Sequence, residues 1–199
     1  MSSWSAAILV GGRGRRLGRA AKPLLDVGGR TILERQVAAL AALGATPRLI
    51  GGDAGPFAGL GFEVVPDVVQ AGALGGLFTA LVTAPTPHVL VLAGDLPFVS
   101  SRFLQALVDR RLDAEAVVPA PGGRWQPLCA VYAAAAAPRL RQAIDEHRWR
   151  VLDAVAALDV TVLDDDALAP FDRAAHLLTN VNTPNADAQA ARGDAETPD

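Results

Sequence analysis

The sequence predicts an α/β domain, with a mainly parallel sheet covered by helices on both faces. Three observations carry that prediction. Apolar runs of strand length alternate with segments of helical periodicity along the chain. The runs are nearly continuous in apolar residues, as strands buried on both faces require. Glycine-rich or acidic breaks follow several runs directly, at the place where ligands bind in such sheets. The length of 199 residues fits one domain, read here as residues 1–191. The polar stretch 192–199 reads as a disordered tail.

Taken in order, residues 5–10 read as a buried strand. Residues 31–43 carry Ile32, Leu33, Val37, Leu40 and Leu43 at helical spacing, with Thr31 and Glu34 as start signals and Gly44 as a stop. Residues 48–50 and 62–65 read as the second and third strands. A glycine-rich turn opens a helix over 74–84. Residues 88–93 form the central strand, broken by Gly94-Asp95-Leu96-Pro97. A helix is expected over 101–111, a strand over 116–119, and a strand of different orientation over 126–132. Helices over 133–146 and 150–158 follow, then a last strand over 160–163. A short helix is expected after Thr183-Pro184. Asp164-Asp165-Asp166 reads as a solvated turn.

Composition narrows the class of function. No apolar run approaches the roughly 18 residues a membrane-spanning helix needs. The opening Met-Ser-Ser-Trp-Ser lacks the regions of a secretory signal, so a cytoplasmic protein without a membrane role is expected. One cysteine, Cys129, excludes an internal disulfide and a cysteine-built metal site. A net charge of −3 argues against a general nucleic-acid binder. Positive charge is concentrated locally instead, which suits a small anionic ligand. Of the 18 basic residues, Lys22 is the only lysine.

That concentration lies in residues 11–22, where four glycines and four arginines precede Lys22. Glycines expose backbone N–H groups and permit positive φ, so the chain can wrap a phosphate or a base. Arginine and lysine supply charge to phosphate oxygens. Two familiar phosphate fingerprints fail here. Lys22 is followed by Pro23 rather than the hydroxyl residue of a P-loop, and Leu17 stands where a dinucleotide fingerprint needs its third glycine.

The stretch I-L-V-G-G-R-G-R-R-L-G-x-x-x-K-P-L-L resembles the signature loop of sugar-nucleotide-type nucleotidyltransferases. Within that group it is most similar to the molybdenum cofactor guanylyltransferases. Gly72-Ala73-Leu74-Gly75-Gly76-Leu77, Leu92-Ala93-Gly94-Asp95-Leu96-Pro97-Phe98 and Asn180-Val181-Asn182-Thr183-Pro184 resemble three further motifs of that family, in the same order. The resemblance implies a three-layer α/β/α Rossmann-like nucleotidyltransferase fold with a mainly parallel mixed sheet. It also implies transfer of GMP from GTP to the phosphate of molybdopterin, with release of pyrophosphate, and transient contacts with other molybdenum cofactor biosynthesis proteins.

Residue by residue, the resemblance puts Leu9, Val10, Gly11 and Gly12 at the nucleotide. Lys22 corresponds to a phosphate-contacting lysine, Asp67 to an aspartate of the nucleotide site, and Asp95 to the Mg²⁺ ligand. Arg16 joins Lys22 and Asp95 in the catalytic set, and Asn180 and Asn182 stand near the active centre. Chemistry agrees on Asp95: a carboxylate closing a buried strand is costly unless solvated, paired or bound to metal, and Mg²⁺ commonly takes one or two carboxylates plus substrate phosphates. Asp67 after Pro66 reads equally well as a turn residue. Trp125 and Gln126 read as an edge of the acceptor pocket. Trp149 reads as a core anchor or a contact to the acceptor. His88, His147 and His176 read as structural.

Three positions depart from the family's pattern: Ala21 where aspartate is usual, Val10 where alanine is usual, and Gly51-Gly52-Asp53 where an asparagine is expected. Two alternatives stay open at this level. One is a cytidylyltransferase for the same cofactor, against which the Gly11-Gly12 and Gly75-Gly76 pairs argue, or another small-molecule nucleotidyltransferase, such as one for phosphosugars, against which the short chain and the N-x-N motif argue. The other is a nucleotide-binding regulator without catalysis, against which Lys22 and Asp95 together argue.

Overall fold

The computed structural model describes residues 3–11, 21–171 and 174–181, leaving aside the side chains of residues 174 and 175. Among the described residues seven strands form one sheet: β1 (Trp4–Leu9), β2 (Pro47–Ile50), β3 (Val64–Val65), β4 (His88–Ala93), β5 (Ala116–Pro119), β6 (Cys129–Ala133) and β7 (Val160–Leu163). Their order is β3-β2-β1-β4-β6-β5-β7. β6 runs antiparallel to both neighbours, and the other pairings are parallel. The expected α/β/α sandwich with a mainly parallel mixed sheet is therefore present.

The layers follow from side-chain alternation. In β1, Ala6 and Ile8 pack with Leu33 and Leu40 of α1 (Ile32–Ala41) and with Phe103, Leu104 and Leu107 of α3 (Ser101–Asp109). Ala7 and Leu9 face the other way, among Leu74 and Leu77 of α2 (Gly72–Val82), Leu140 of α4 (Ala137–Asp145) and Val155 of α5 (Val151–Val155). Both faces of the strand are thus buried, and a fully buried Ile or Leu of this kind contributes roughly 1.5–3 kcal/mol. The Thr31 start signal is a complete capping box: its hydroxyl accepts from Glu34 N–H at 3.2 Å while the Glu34 carboxylate accepts from Thr31 N–H at 2.7 Å.

Several boundaries differ from expectation. The third strand shrinks to two residues, because Gly59 and Gly61 take positive φ just before it. α2 starts at Gly72, so the glycines expected in a turn lie inside the helix. A methyl on Gly75 would collide with the Val69 carbonyl oxygen, which explains why that helix position is bare. The helix expected over 133–146 divides into a single 3₁₀ turn and α4, whose first turn holds Pro138. The helix over 150–158 contracts to α5. Asp164 is exposed as expected, but it caps a helix and does not form a plain turn: its carboxylate accepts from Ala167 N–H at 3.1 Å and starts α6 (Asp165–Leu168). Asp165 in turn accepts from Gly122 N–H at 2.8 Å. The last helix among the described residues is α7 (Ala174–Leu177). The helix expected after Pro184, the domain limit at 191 and the tail 192–199 lie outside the described residues.

The single reversed strand matters for function. Because β6 runs against β4, the residues that lead into it arrive at the carboxyl end of β4. Ala93 N–H donates to Leu128 O at 2.6 Å, which brings Gln126, Pro127 and Leu128 to that end of the sheet.

Candidate active site

From β1 the chain steps to β2 and β3 on one side, and β4 lies on the other. The crevice where ligands bind in such sheets is therefore expected outside the carboxyl ends of β1 and β4. A cleft of about 790 Å³ opens there. It is within the range of small-molecule sites. Leu9, Val10, Gly11, Lys22, Asp67, Asp95 and Asn180 all line it. Every described residue that the resemblance assigned to the site is thus brought to one place. Gly12, Arg16 and Asn182 lie outside the described residues.

Asp95 sits in the turn that ends β4. Gly94 before it touches the end of β1: its N–H donates to Leu9 O at 3.0 Å, and a Cβ there would lie 2.6 Å from Pro23 Cγ and 2.8 Å from Leu9 O. No side chain fits. Pro23 belongs to the 3₁₀ turn Lys22–Leu24, so this close approach also seats Lys22 beside Asp95. Lys22 Nζ lies 3.4 Å from Asp95 Oδ2. That is longer than the ~2.7–2.9 Å of a tight charge-assisted bond. Asp95 Oδ1 is buried and has no hydrogen-bond partner among the described residues. The turn is tied from the inside by Gln36, whose Nε2 donates to Ala93 O at 2.7 Å and Leu96 O at 3.1 Å. It is tied from the outside by Val181 N–H, which donates to Asp95 O at 2.9 Å. Val181 is buried against Val27 and Ile32, and Phe98 stacks on His176 at 4.3 Å. These contacts hold Asn180 over the cleft.

Asp67 faces the same space from the β2–β3 side. Its carboxylate occupies a nest of glycines: a Cβ on Gly51 would lie 2.8 Å from Oδ1, and those on Gly11 and Gly76 would lie 3.6 and 3.7 Å from its oxygens. Gly51 also needs its φ of +83°. Gly51 is therefore bare because Asp67 fills its side-chain space. Burial pushes the Asp67 carboxyl above its ordinary range. Its Oδ1, too, is buried with no partner among the described residues. The next residue, Val68, donates its N–H to Thr79 Oγ1 at 3.0 Å.

The remaining candidates divide. Gly52 lines the cleft, and Asp53 closes a local turn through Gly55 N–H at 2.9 Å. Gln126 lines the cleft as expected of an edge residue. Trp125 packs partly buried on the core and borders a separate groove with Arg124, Leu152 and Ala156. Trp149 is 54% exposed and is no core anchor. Sequence reading missed Gln36 and Thr79. The signal was present in the first case, since Gln36 stands on the stripe Ile32–Gln36–Leu40, where the helical period demands an apolar residue.

The donor set suits a divalent cation of the magnesium kind. Among the described residues no group of three or more His, Cys, Asp or Glu side chains could enclose a metal. One orphaned carboxylate oxygen on Asp95 beside an open cleft matches an ion held by one or two carboxylates and by substrate phosphates.

Comparisons with known proteins agree with this geometry. The sequence profile of the MobA-like NTP transferase domain matches residues 6–170. A protein of Chloroflexus aggregans named probable molybdenum cofactor guanylyltransferase is 34% identical over 91% of this chain and 90% of its own. One of Rhodopseudomonas palustris, named molybdenum cofactor guanylyltransferase, is 32% identical over 94% and 92%. The crystal structure of molybdopterin-guanine dinucleotide biosynthesis protein A from Archaeoglobus fulgidus superposes with a TM-score of 0.79 at 25% identity, covering 97% of this chain and all of that one. With a profile spanning most of its length and close relatives matched nearly end to end, the chain is a nucleotidyltransferase and belongs to the MobA-like NTP transferase family.

Proposed function

We propose that this nucleotidyltransferase moves GMP from GTP onto the phosphate of molybdopterin, forming the guanine dinucleotide cofactor in the cytoplasm. An oxygen of the acceptor phosphate attacks the α-phosphorus, the α–β anhydride bond breaks, and pyrophosphate leaves. The observation that carries this reading is the convergence of Lys22, Asp95, Asp67 and Asn180 on one cleft at the carboxyl ends of β1 and β4. The names of the relatives support the choice of nucleotide and acceptor.

Phosphoryl-type transfer asks a protein for positioning and charge neutralisation more than for covalent chemistry. Lys22 supplies a point charge to the triphosphate. Asp95, whose Oδ1 meets no donor among the described residues, would hold Mg²⁺. Bound there, such an ion would supply positive charge against the charge that develops on the phosphates during attack. Asp67 offers a buried acceptor to donor groups of the nucleoside, and the bare backbone at Gly11 and Gly52 lets a purine approach closely. Asn180 offers a neutral amide that orients phosphate without adding negative charge. The acceptor is received along Gln126, Pro127 and Leu128, which line the same cleft.

The test compares transfer to molybdopterin from Mg·GTP and Mg·CTP, in the unmodified protein and in Asp95→Asn. GTP is expected to be preferred by ~10²-fold or more, because a site built on hydrogen bonds rejects a base that leaves them unpaired. Asp95→Asn should fold normally and lose transfer. A merely turn-forming aspartate gives the opposite result, since asparagine serves a turn equally well. Equal kcat/KM for the two nucleotides, or an asparagine variant with unchanged rate and Mg²⁺ dependence, overturns the proposal.

A further inference from the structure

Among the described residues two polar side chains, Gln36 and Thr79, are fully buried, each 0% exposed. Burying an amide or hydroxyl is unfavourable unless its hydrogen bonds are made, so the bonds they make are informative. Neither residue lines the cleft. Each reaches the backbone of a turn that carries one of the two cleft carboxylates.

Gln36 projects from α1 under the end of β4. Its Nε2 bonds Ala93 O and Leu96 O, the carbonyls that bracket Gly94 and Asp95. Beyond the last strand residue the sheet ladder no longer supplies donors to these carbonyls, and one side-chain amide serves both. The cost is visible in Gln36 Oε1, which is buried with no partner among the described residues. A leucine or methionine would fill the same apolar stripe without that cost. Thr79 performs the matching task in α2. Its hydroxyl donates to Gly75 O at 2.8 Å and accepts from Val68 N–H at 3.0 Å, which fixes the residue next to Asp67. The bare Gly75 lets that same loop press on the helix.

We infer that Gln36 and Thr79 are a pair of positioning residues: Gln36 sets the Asp95 carboxylate at the metal and triphosphate end of the cleft, and Thr79 sets the Asp67 carboxylate at its nucleoside end. The inference rests on the function proposed above for these two carboxylates. It separates their effects. Loosening the Asp95 turn should alter what Mg²⁺ contributes. Loosening the Asp67 turn should alter how the nucleoside is held whether or not Mg²⁺ is present.

The experiment measures GTP affinity by calorimetry with and without Mg²⁺, and the Mg²⁺ concentration for half-maximal transfer, in folded variants checked by thermal melting. Gln36→Met keeps volume and removes the donor. It should leave metal-free GTP affinity unchanged and raise half-saturating Mg²⁺ about tenfold or more, the usual penalty for losing an outer partner of a metal ligand. Gln36→Leu repeats the test if the methionine variant proves unstable. Thr79→Val should weaken GTP binding about tenfold both with and without Mg²⁺, leaving the Mg²⁺ dependence alone, as expected when a buried hydrogen bond is lost. Thr79→Ser keeps the hydroxyl and should restore affinity. The pairing is refuted if folded Gln36 variants keep the normal Mg²⁺ dependence, if both sets shift both readouts alike, or if serine fails where valine fails. Failure of the unmodified protein to bind GTP would instead refute the proposed function.

Discussion

Replacing Gly94 by alanine drives a methyl group against Pro23 and Leu9, beside the turns that carry Lys22 and Asp95. The new Cβ would lie 2.6 Å from Pro23 Cγ, where ordinary contact begins at 3.4 Å, a deficit of about 0.8 Å. Against Leu9 O, at 2.8 Å, the deficit is about 0.6 Å. Leu9 is held in the sheet on both edges and cannot retreat. The displacement therefore falls on Pro23, which carries Lys22, and on the Asp95 turn. A shift approaching 1 Å between reacting groups and their positioning charges lowers turnover by about 10²-fold. Strain of this kind also costs about 1–3 kcal/mol of stability. Single-turnover rates at saturating GTP, with denaturant midpoints alongside, read both effects. The double variant Gly94→Ala with Pro23→Ala removes the nearer clash and should recover part of the rate. Normal turnover in the single variant, or a double variant no better than the single, would show that the close approach of β4 to the Lys22 turn does not set the geometry of the site.

Lys22→Ala should lower turnover by ~10²–10³-fold, as for other deletions of a preorganised charge, while its melting temperature stays near normal. The lysine is 49% exposed, and an exposed pair of this kind contributes only ~0–1 kcal/mol. Lys22→Arg should recover part of the rate, since a planar fork is not a point charge; full recovery would contradict the assignment. For Asp67, burial raises the folded carboxyl above its ordinary value of 3.8. The folded chain then holds the proton more tightly than the unfolded chain. Stability contributed by the protonated form is lost as pH rises from the unfolded value through the folded one. Asp67→Asn should therefore stabilise the ligand-free protein at neutral pH, and the advantage should vanish below about pH 3.8. Denaturant midpoints of both proteins across the acid range measure this, and a difference independent of pH would count against it.

Much of this site was legible because its chemistry is local. Lys22 and the turn Gly94–Pro97 each announce themselves within a few residues, and both stand directly after strands. What could not be read is which elements meet. Nothing near Gly51 says that its missing side chain makes room for Asp67, sixteen positions on, yet that contact decides both positions. The departure from the family at Gly51-Gly52-Asp53 becomes intelligible only once β2 and β3 are paired. Gln36 went unnoticed for a different reason. Apolar residues define helical periodicity, and a polar residue on the apolar stripe looks like noise until the carbonyls of Ala93 and Leu96 are seen above it. Element lengths slipped where glycine or proline set the boundary, as at Gly61 just before a run and Pro138 within one.

The first strand of the chain occupies the interior of the sheet, and that placement bears on the protein's birth. Trp4 pairs with His88 and Leu9 with Ala93, more than eighty positions later in the chain. During translation the run Trp-Ser-Ala-Ala-Ile-Leu therefore emerges long before its partner on that edge exists. Pairings of such separation form slowly, and an apolar strand with an open edge invites association between nascent chains. Arg13, Arg15, Arg16 and Arg19 follow it immediately in sequence. Charge flanking an unavoidable apolar segment is a recognised safeguard against such association. Whatever else these arginines bind, their place in the sequence suits them to chaperone, in cis, the strand that waits longest for its neighbour.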